Sequence, residues 1–327
     1  MKHLLLIHGR ATKPAAADKE RLVLGALVHG LERVNPQAAD AVRSKKVATM
    51  LAYYGDINND LVLKAEPHRR EHMIQQDGKW FEPPDSYDQD LARLLARPTD
   101  KHTAGDYASL LREVPDRRWR DDVARVGSVV LDLLRLGRHA LIPQLPDLGK
   151  YLSSRTVGSA IRDRLQRPLK QALLATNDVA IVAHSMGCIV SYDVLWKLSR
   201  MSEYEEFRNR RVSLWLTLGS PLGEPAVKDG LYDSNEPADG RYPTNVLRWV
   251  NIAAHDDFVA HDATVADDFR DMVGAGCIAP GAIVDRPRIH NFWVGTEGSN
   301  PHKFYGYLDH PDVAREIAGW IEAAKES

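Results

Sequence analysis

The stretch VAIVAHSMGCIV, Val179 to Val190, constrains the fold more than any other part of the chain. Mostly β-forming residues run without alternation into His184-Ser185-Met186-Gly187, after which the pattern turns amphipathic. A continuous apolar run reads as a strand covered on both faces, as in parallel sheets with helices on either side. A chain that leaves such a strand and enters a helix at once must turn sharply. The apex residue is held in a strained backbone, and the residues two before and two after it must be small. Here they are Ala183 and Gly187, with Ser185 at the apex. Its hydroxyl is expected at the carboxyl end of the sheet, where open α/β sheets bind ligands. The competing reading is a serine that only caps the helix Met186–Met201.

The remaining chain alternates in the same way, which predicts a mainly parallel sheet of about six strands with crossover helices. Strands are expected at Lys2–His8, Lys46–Tyr54, Asp178–Ala183, Val212–Leu218, Val246–Ala253 and Ile289–Val294. Helices are expected at Ala15–Val34, Thr156–Ala175, Met186–Met201 and Pro311–Ala324. The stretch of about 60–155 breaks the alternation and reads as an inserted, largely helical cap in one domain whose core is 1–59 and 156–327. Within it an apolar helix near Trp119–Leu141 carries Arg125, Asp132, Arg135 and His139 as one polar stripe. A packed structural insertion is the plainer alternative.

Composition excludes several classes. Of 327 residues, 44% are hydrophobic and 27% charged, the balance of an ordinary globular chain. Basic and acidic residues number 43 and 45, so no overall basic field collects nucleic acid, and no such partner is expected. The two cysteines, Cys188 and Cys277, make no disulfide framework and fit a reducing cytosol. The opening MKHLLLIHGR is too short in apolar residues for a secretory leader, and no run nears the ~18 of a transmembrane segment. A complete, cytoplasmic chain is the expectation. Oligomeric state has no signal here.

A serine hydroxyl is a poor nucleophile at neutral pH. It needs a base within hydrogen-bond reach, and the base needs an acid to hold its tautomer. Four further segments supply candidates. LIHGR (Leu6–Arg10) resembles the strand-then-His-Gly opening of the α/β-hydrolases, and AHSMG their nucleophile elbow. WLTLGSPLG (Trp215–Gly223) resembles the strand and loop after the nucleophile helix. WVNIAAHDDFVA (Trp249–Ala260) is similar to the strand whose end carries the acid, and NPHKFYGYLDHPDV (Asn300–Val313) to the loop carrying the histidine. The resemblance spans roughly 1–55 and 155–325 and is to serine esterases and lipases.

That resemblance implies an α/β-hydrolase fold and hydrolysis of a carboxylic ester through an acyl-enzyme. The implied nucleophile is Ser185, the acid Asp257 and the base His302. Asp256 competes for the acid, and His310 and His290 for the base. Backbone N–H groups of Met186 and of Gly9 or Arg10 are implied as the oxyanion hole. The implied substrate is a small-molecule ester with an apolar acyl part, and no metal or organic cofactor is called for. Acyl transfer, amide cleavage and a non-catalytic binding role share the same motifs. Serine at the apex argues against the aspartate chemistry of dehalogenases and epoxide hydrolases.

Other strings carry less. HRREH (His68–His72) matches H-x-x-E-H, with Glu71 as a base between two zinc-binding histidines, but a solvated helix face is the expectation. HDDFVAHD (His255–Asp262) superficially matches metal phosphohydrolases, although a β-like run precedes it. His184 is expected to pack or hydrogen-bond locally, and Cys188 to be a small buried residue. No nucleotide-binding glycine string is present.

Overall fold

The structure is a computed structural model that describes residues 1–114, 145–260, 262–295 and 298–323. In chain order the strands used below are β1 (Lys2–Ile7), β2 (Val47–Ala52), β3 (Ile74–Gln76), β4 (Lys79–Phe81), β5 (Val179–His184), β6 (Leu214–Leu218), β7 (Trp249–Ala254) and β8 (Ile283–Ile289). Six of them form one all-parallel sheet in the order β2-β1-β5-β6-β7-β8. β3 and β4 form a separate antiparallel hairpin. The order reverses between β1 and β5: the chain leaves β1 toward one edge of the sheet and β5 toward the other. The carboxyl ends of these two neighbours therefore border a crevice, the usual ligand position in such sheets.

Side chains alternate between two cores because strand residues point to opposite faces. Leu5, Ile7, Val179, Ile181 and Ala183 pack against the helices Arg155–Ala175 and Met186–Arg200. Leu4, Leu6, Ala180 and Val182 pack against the helices Ala16–Val34 and Pro311–Glu322. Every residue of β5, β6 and β7 is buried, which is why those strands read as unbroken apolar runs. The first strand is tied to the last helix. Lys2 Nζ donates to Trp320 O (2.6 Å) and Ala323 O (2.9 Å).

The sixth strand differs from the expectation of Ile289–Val294. It is Ile283–Ile289, an edge strand with Asp285, Arg286, Pro287 and Arg288 in its middle. An edge needs neither two apolar faces nor every ladder N–H, so proline and charge are tolerated there. The apolar residues after it, Phe292 and Trp293, pack into the core without belonging to that strand.

Between β2 and the helix Arg155–Ala175 the described residues form the helices Gly55–Ala65, Asp85–Leu95, Ala104–Glu113 and Pro146–Ser153, besides the hairpin. Leu91, Leu94 and Tyr107 join the core of the first helix, and Leu145, Leu148 and Tyr151 the opposite one. The expected helix near Trp119–Leu141, with Arg125, Asp132, Arg135 and His139, lies outside the described residues. No described helix is long and apolar enough to cross a membrane.

Candidate active site

Ser185 occupies the apex between β5 and its helix with φ 55° and ψ −126°. A positive φ costs a non-glycine residue roughly 1–3 kcal/mol, so the surroundings must impose it. They do so by crowding. A Cβ on Gly187 would stand 2.7 Å from His8 O, and a Cβ on Gly9 would stand 2.7 Å from Ser185 Cβ. The Ser185 N–H is meanwhile anchored to Leu218 O at 3.0 Å. The serine side chain makes no capping bond to the helix that follows.

Its hydroxyl points instead to His302, whose Nε2 lies 2.8 Å from Ser185 Oγ. The other ring nitrogen, Nδ1, lies 2.8 Å from Asp257 Oδ2 and 2.9 Å from Oδ1. A carboxylate only accepts, so Nδ1 carries the proton and Nε2 is left to accept from the serine. Asp257 is buried, and its Oδ1 also accepts from Val259 N (3.0 Å) and Ala260 N (3.4 Å). The structure thus joins three residues that are far apart in sequence. Their competitors are engaged with other partners. Asp256 accepts from His255 Nδ1 (2.7 Å), His310 caps the last helix through Asp312 N (3.1 Å), and His290 stacks on Tyr107.

The loop after β1 is held by buried groups. His8 Nδ1–H donates to Gly9 O (2.8 Å), since a carbonyl can only accept, and Nε2 accepts from Tyr54 N (3.2 Å). Burial, then the charges of Lys13 and Lys19, keep this ring neutral well below the usual histidine range. Because the amide is planar, fixing Gly9 O also fixes the direction of the Arg10 N–H. Lys13 Nζ donates to the carbonyls of Arg10, Ala11 (3.1 Å) and Thr12 (3.0 Å). Asp147 accepts from Ala11 N and from Arg10 Nε (3.3 Å). Met186 opens its helix, so its N–H is among those a helix leaves without an internal partner.

Tyr307 and Gly219 support the site without having been expected there, and His184, expected to pack or hydrogen-bond locally, reaches across the chain instead. Tyr307 O–H donates to Asp257 Oδ2 (2.6 Å) and accepts from Ala254 N (2.8 Å). His184 Nε2–H donates to His302 O (2.7 Å), and its ring stacks on Phe304 at 13°. Burial first, and then the neighbouring His302 ring, push His184 well below the usual histidine range. Gly219 has φ 55°, and a Cβ there would lie 2.7 Å from Asp257 Oδ2. The FYGY stretch and Gly219 were visible, but the contacts that give them meaning join segments distant in sequence.

Burial also pushes the Cys188 thiol up to about 12, as befits an inert core residue. His68–His72 forms an exposed 3-10 turn, and no group of three metal-binding side chains occurs among the described residues. In the HDDFVAHD string, His261 lies outside the described residues.

A cavity of about 650 Å³ opens over Ser185. Its described lining includes Arg10, Lys13, Lys19 and Lys303 beside Glu82, Tyr87, Phe304 and Tyr305. Compared with known proteins, the chain matches no family model, no curated protein and no solved structure.

Proposed function

We propose that this chain is a serine hydrolase of the α/β-hydrolase fold that cleaves a carboxylic ester. The observation that carries the reading is His302 standing between Ser185 Oγ and Asp257, each at 2.8 Å. The strand order supports it, with the elbow after β5, the acid after β7 and the base before the last helix.

In this reading Ser185 Oγ attacks the ester carbonyl while His302 Nε2 takes its proton. Asp257 keeps Nδ1–H in place and stabilises the imidazolium. The oxyanion is received by the N–H of Met186 and that of Arg10 or Gly9. Each such donor is worth ~10²–10³ in rate. His302 returns the proton to the departing alcohol. Water then repeats the sequence on the acyl-enzyme and frees the acid.

The test is the intact mass after brief fluorophosphonate treatment, beside Ser185→Ala and His302→Ala. One adduct mapped to Ser185 and absent from both variants is expected. An unlabelled wild type that also turns over no 4-nitrophenyl ester would overturn the reading.

A further inference from the structure

Lys19 is out of place for a buried lysine. It lies in the first turn of the helix Ala16–Val34 and is 3% exposed, yet it lines the cavity over Ser185. Its Nζ donates one hydrogen bond, to Tyr305 Oη at 2.8 Å, and sits over the Tyr305 and Phe304 rings at 4.1 and 5.7 Å. An ammonium has three donors. Among the described residues no carboxylate pairs with it directly. The carboxylate that opposes its charge is Glu82, whose two oxygens already accept from the hydroxyls of Thr12 and Tyr87.

Buried charges are normally paired, and an unpaired one is strongly disfavoured. Here the neighbours add to the imbalance. Burial first, and then the charges of Lys13 and Lys303, push the Lys19 ammonium well below the usual lysine range. Lys13 is itself brought down to about 8, chiefly by burial. Its three donors are spent on loop carbonyls, so it adds charge to the cavity without offering a contact. The wall beside the serine therefore holds a buried amine whose protonated form has no direct carboxylate partner and has donors not yet used. An anion seated there would complete both.

We propose that the ester taken by this site carries an anionic group remote from the ester bond, a carboxylate or a phosphate, and that Lys19 receives it. The proposal rests on the serine-hydrolase reading for its reaction but not for its binding site. It replaces a purely apolar acyl part with one that ends in charge.

The experiment compares mono-4-nitrophenyl succinate, glutarate and adipate with 4-nitrophenyl butyrate, pentanoate and hexanoate. A charge-assisted contact of this kind corresponds to about tenfold or more in kcat/KM for the best-fitting anionic ester over its neutral counterpart. That ratio should fall toward one in Lys19→Met and survive within a few-fold in Lys19→Arg. A wild-type ratio at or below one for all three pairs, with the neutral esters turned over, would overturn the Lys19 assignment and leave the hydrolase reading standing. The wild-type ratio needs no variant to fold. If Ser185 is not labelled and no ester is cleaved, the hydrolase reading fails on its own. Calorimetric titration of glutarate and of inorganic phosphate into wild type and Lys19→Met then decides the binding site. Binding of either anion that the variant loses supports it, and identifies which anion fits. No binding, or equal binding in both proteins, overturns it.

Discussion

Gly219 offers a sharp test of the site geometry, because it crowds the acid and the base without lining the cavity over Ser185. At φ 55° its missing side chain leaves room for the acid and the base. A Cβ there would stand 2.7 Å from Asp257 Oδ2 and 3.0 Å from His302 Nδ1. In Gly219→Ala the left-handed backbone alone costs about 1–2 kcal/mol. The carboxylate cannot swing aside freely, since Tyr307 holds Oδ2 at 2.6 Å and Val259 N holds Oδ1 at 3.0 Å. The imidazole and carboxylate must move together by roughly half an ångström or more, and a misplacement of ~1 Å typically costs ~10²-fold in rate. Fluorophosphonate labelling of Ser185 should slow by roughly 10–10²-fold, with unfolding free energy down by about 2 kcal/mol in urea. Gly25→Ala is the control. Its Cβ would meet only Leu91, at an ordinary 3.6 Å, inside a helix. It should stabilise by about 0.5–1 kcal/mol and label at the wild-type rate. Wild-type labelling in Gly219→Ala would refute the packing argument.

Asp257→Asn should slow ester turnover by about 10⁴-fold by favouring the wrong His302 tautomer, while the fold persists; a loss under tenfold would contradict the assigned acid. Tyr307→Phe removes a donor to Asp257 and the acceptor for Ala254 N, so a loss of about 2 kcal/mol is expected in urea unfolding. An unchanged midpoint would show that these bonds are unimportant. Asp193 is buried against Tyr151 O–H (2.6 Å), and burial pushes its carboxyl up from an ordinary 3.8 to about 6. A raised folded value means stability is fully present below about pH 4 and falls as pH rises through 6, by about 3 kcal/mol in total. Asp193→Asn should flatten that slope in urea midpoints between pH 4 and 7, and an unaltered slope would count against it.

What could be read from the sequence follows from where each residue's partners lie. β5, β6 and β7 are buried on both faces, so composition alone marks them. The elbow was legible because its signature is local: Ala183, Ser185 and Gly187 stand within five residues after an apolar run, although the atom that a Cβ on Gly187 would meet, His8 O, belongs to the distant loop after β1. β8 was misplaced because an edge strand carrying Asp285, Arg286 and Arg288 has no apolar period, while Phe292 and Trp293 imitate one. Lys19 offered nothing in sequence, being one charge on an otherwise ordinary amphipathic helix. Its meaning comes from Tyr305, which lies 286 residues away. Tyr307 and Gly219 belong to the same class, and His184, expected to pack or bond locally, bonds His302 O instead: each acts through a contact that only the closed sheet creates.

The central place of β1 has a consequence during synthesis. Its outer neighbour β2 follows within about 40 residues of chain, but its inner neighbour is β5, where His3 pairs with Val179. At a ribosomal rate of ~5–20 residues per second, the first strand waits on the order of 10–35 s for that partner. Through that interval Leu4 and Leu6 have no β5 beside them, and the Gly9 loop has no serine to face. Lys2 waits longer still, for the carbonyl of Trp320. The three-residue site is completed later than the pairing of β1 with β5, when His302 has been made.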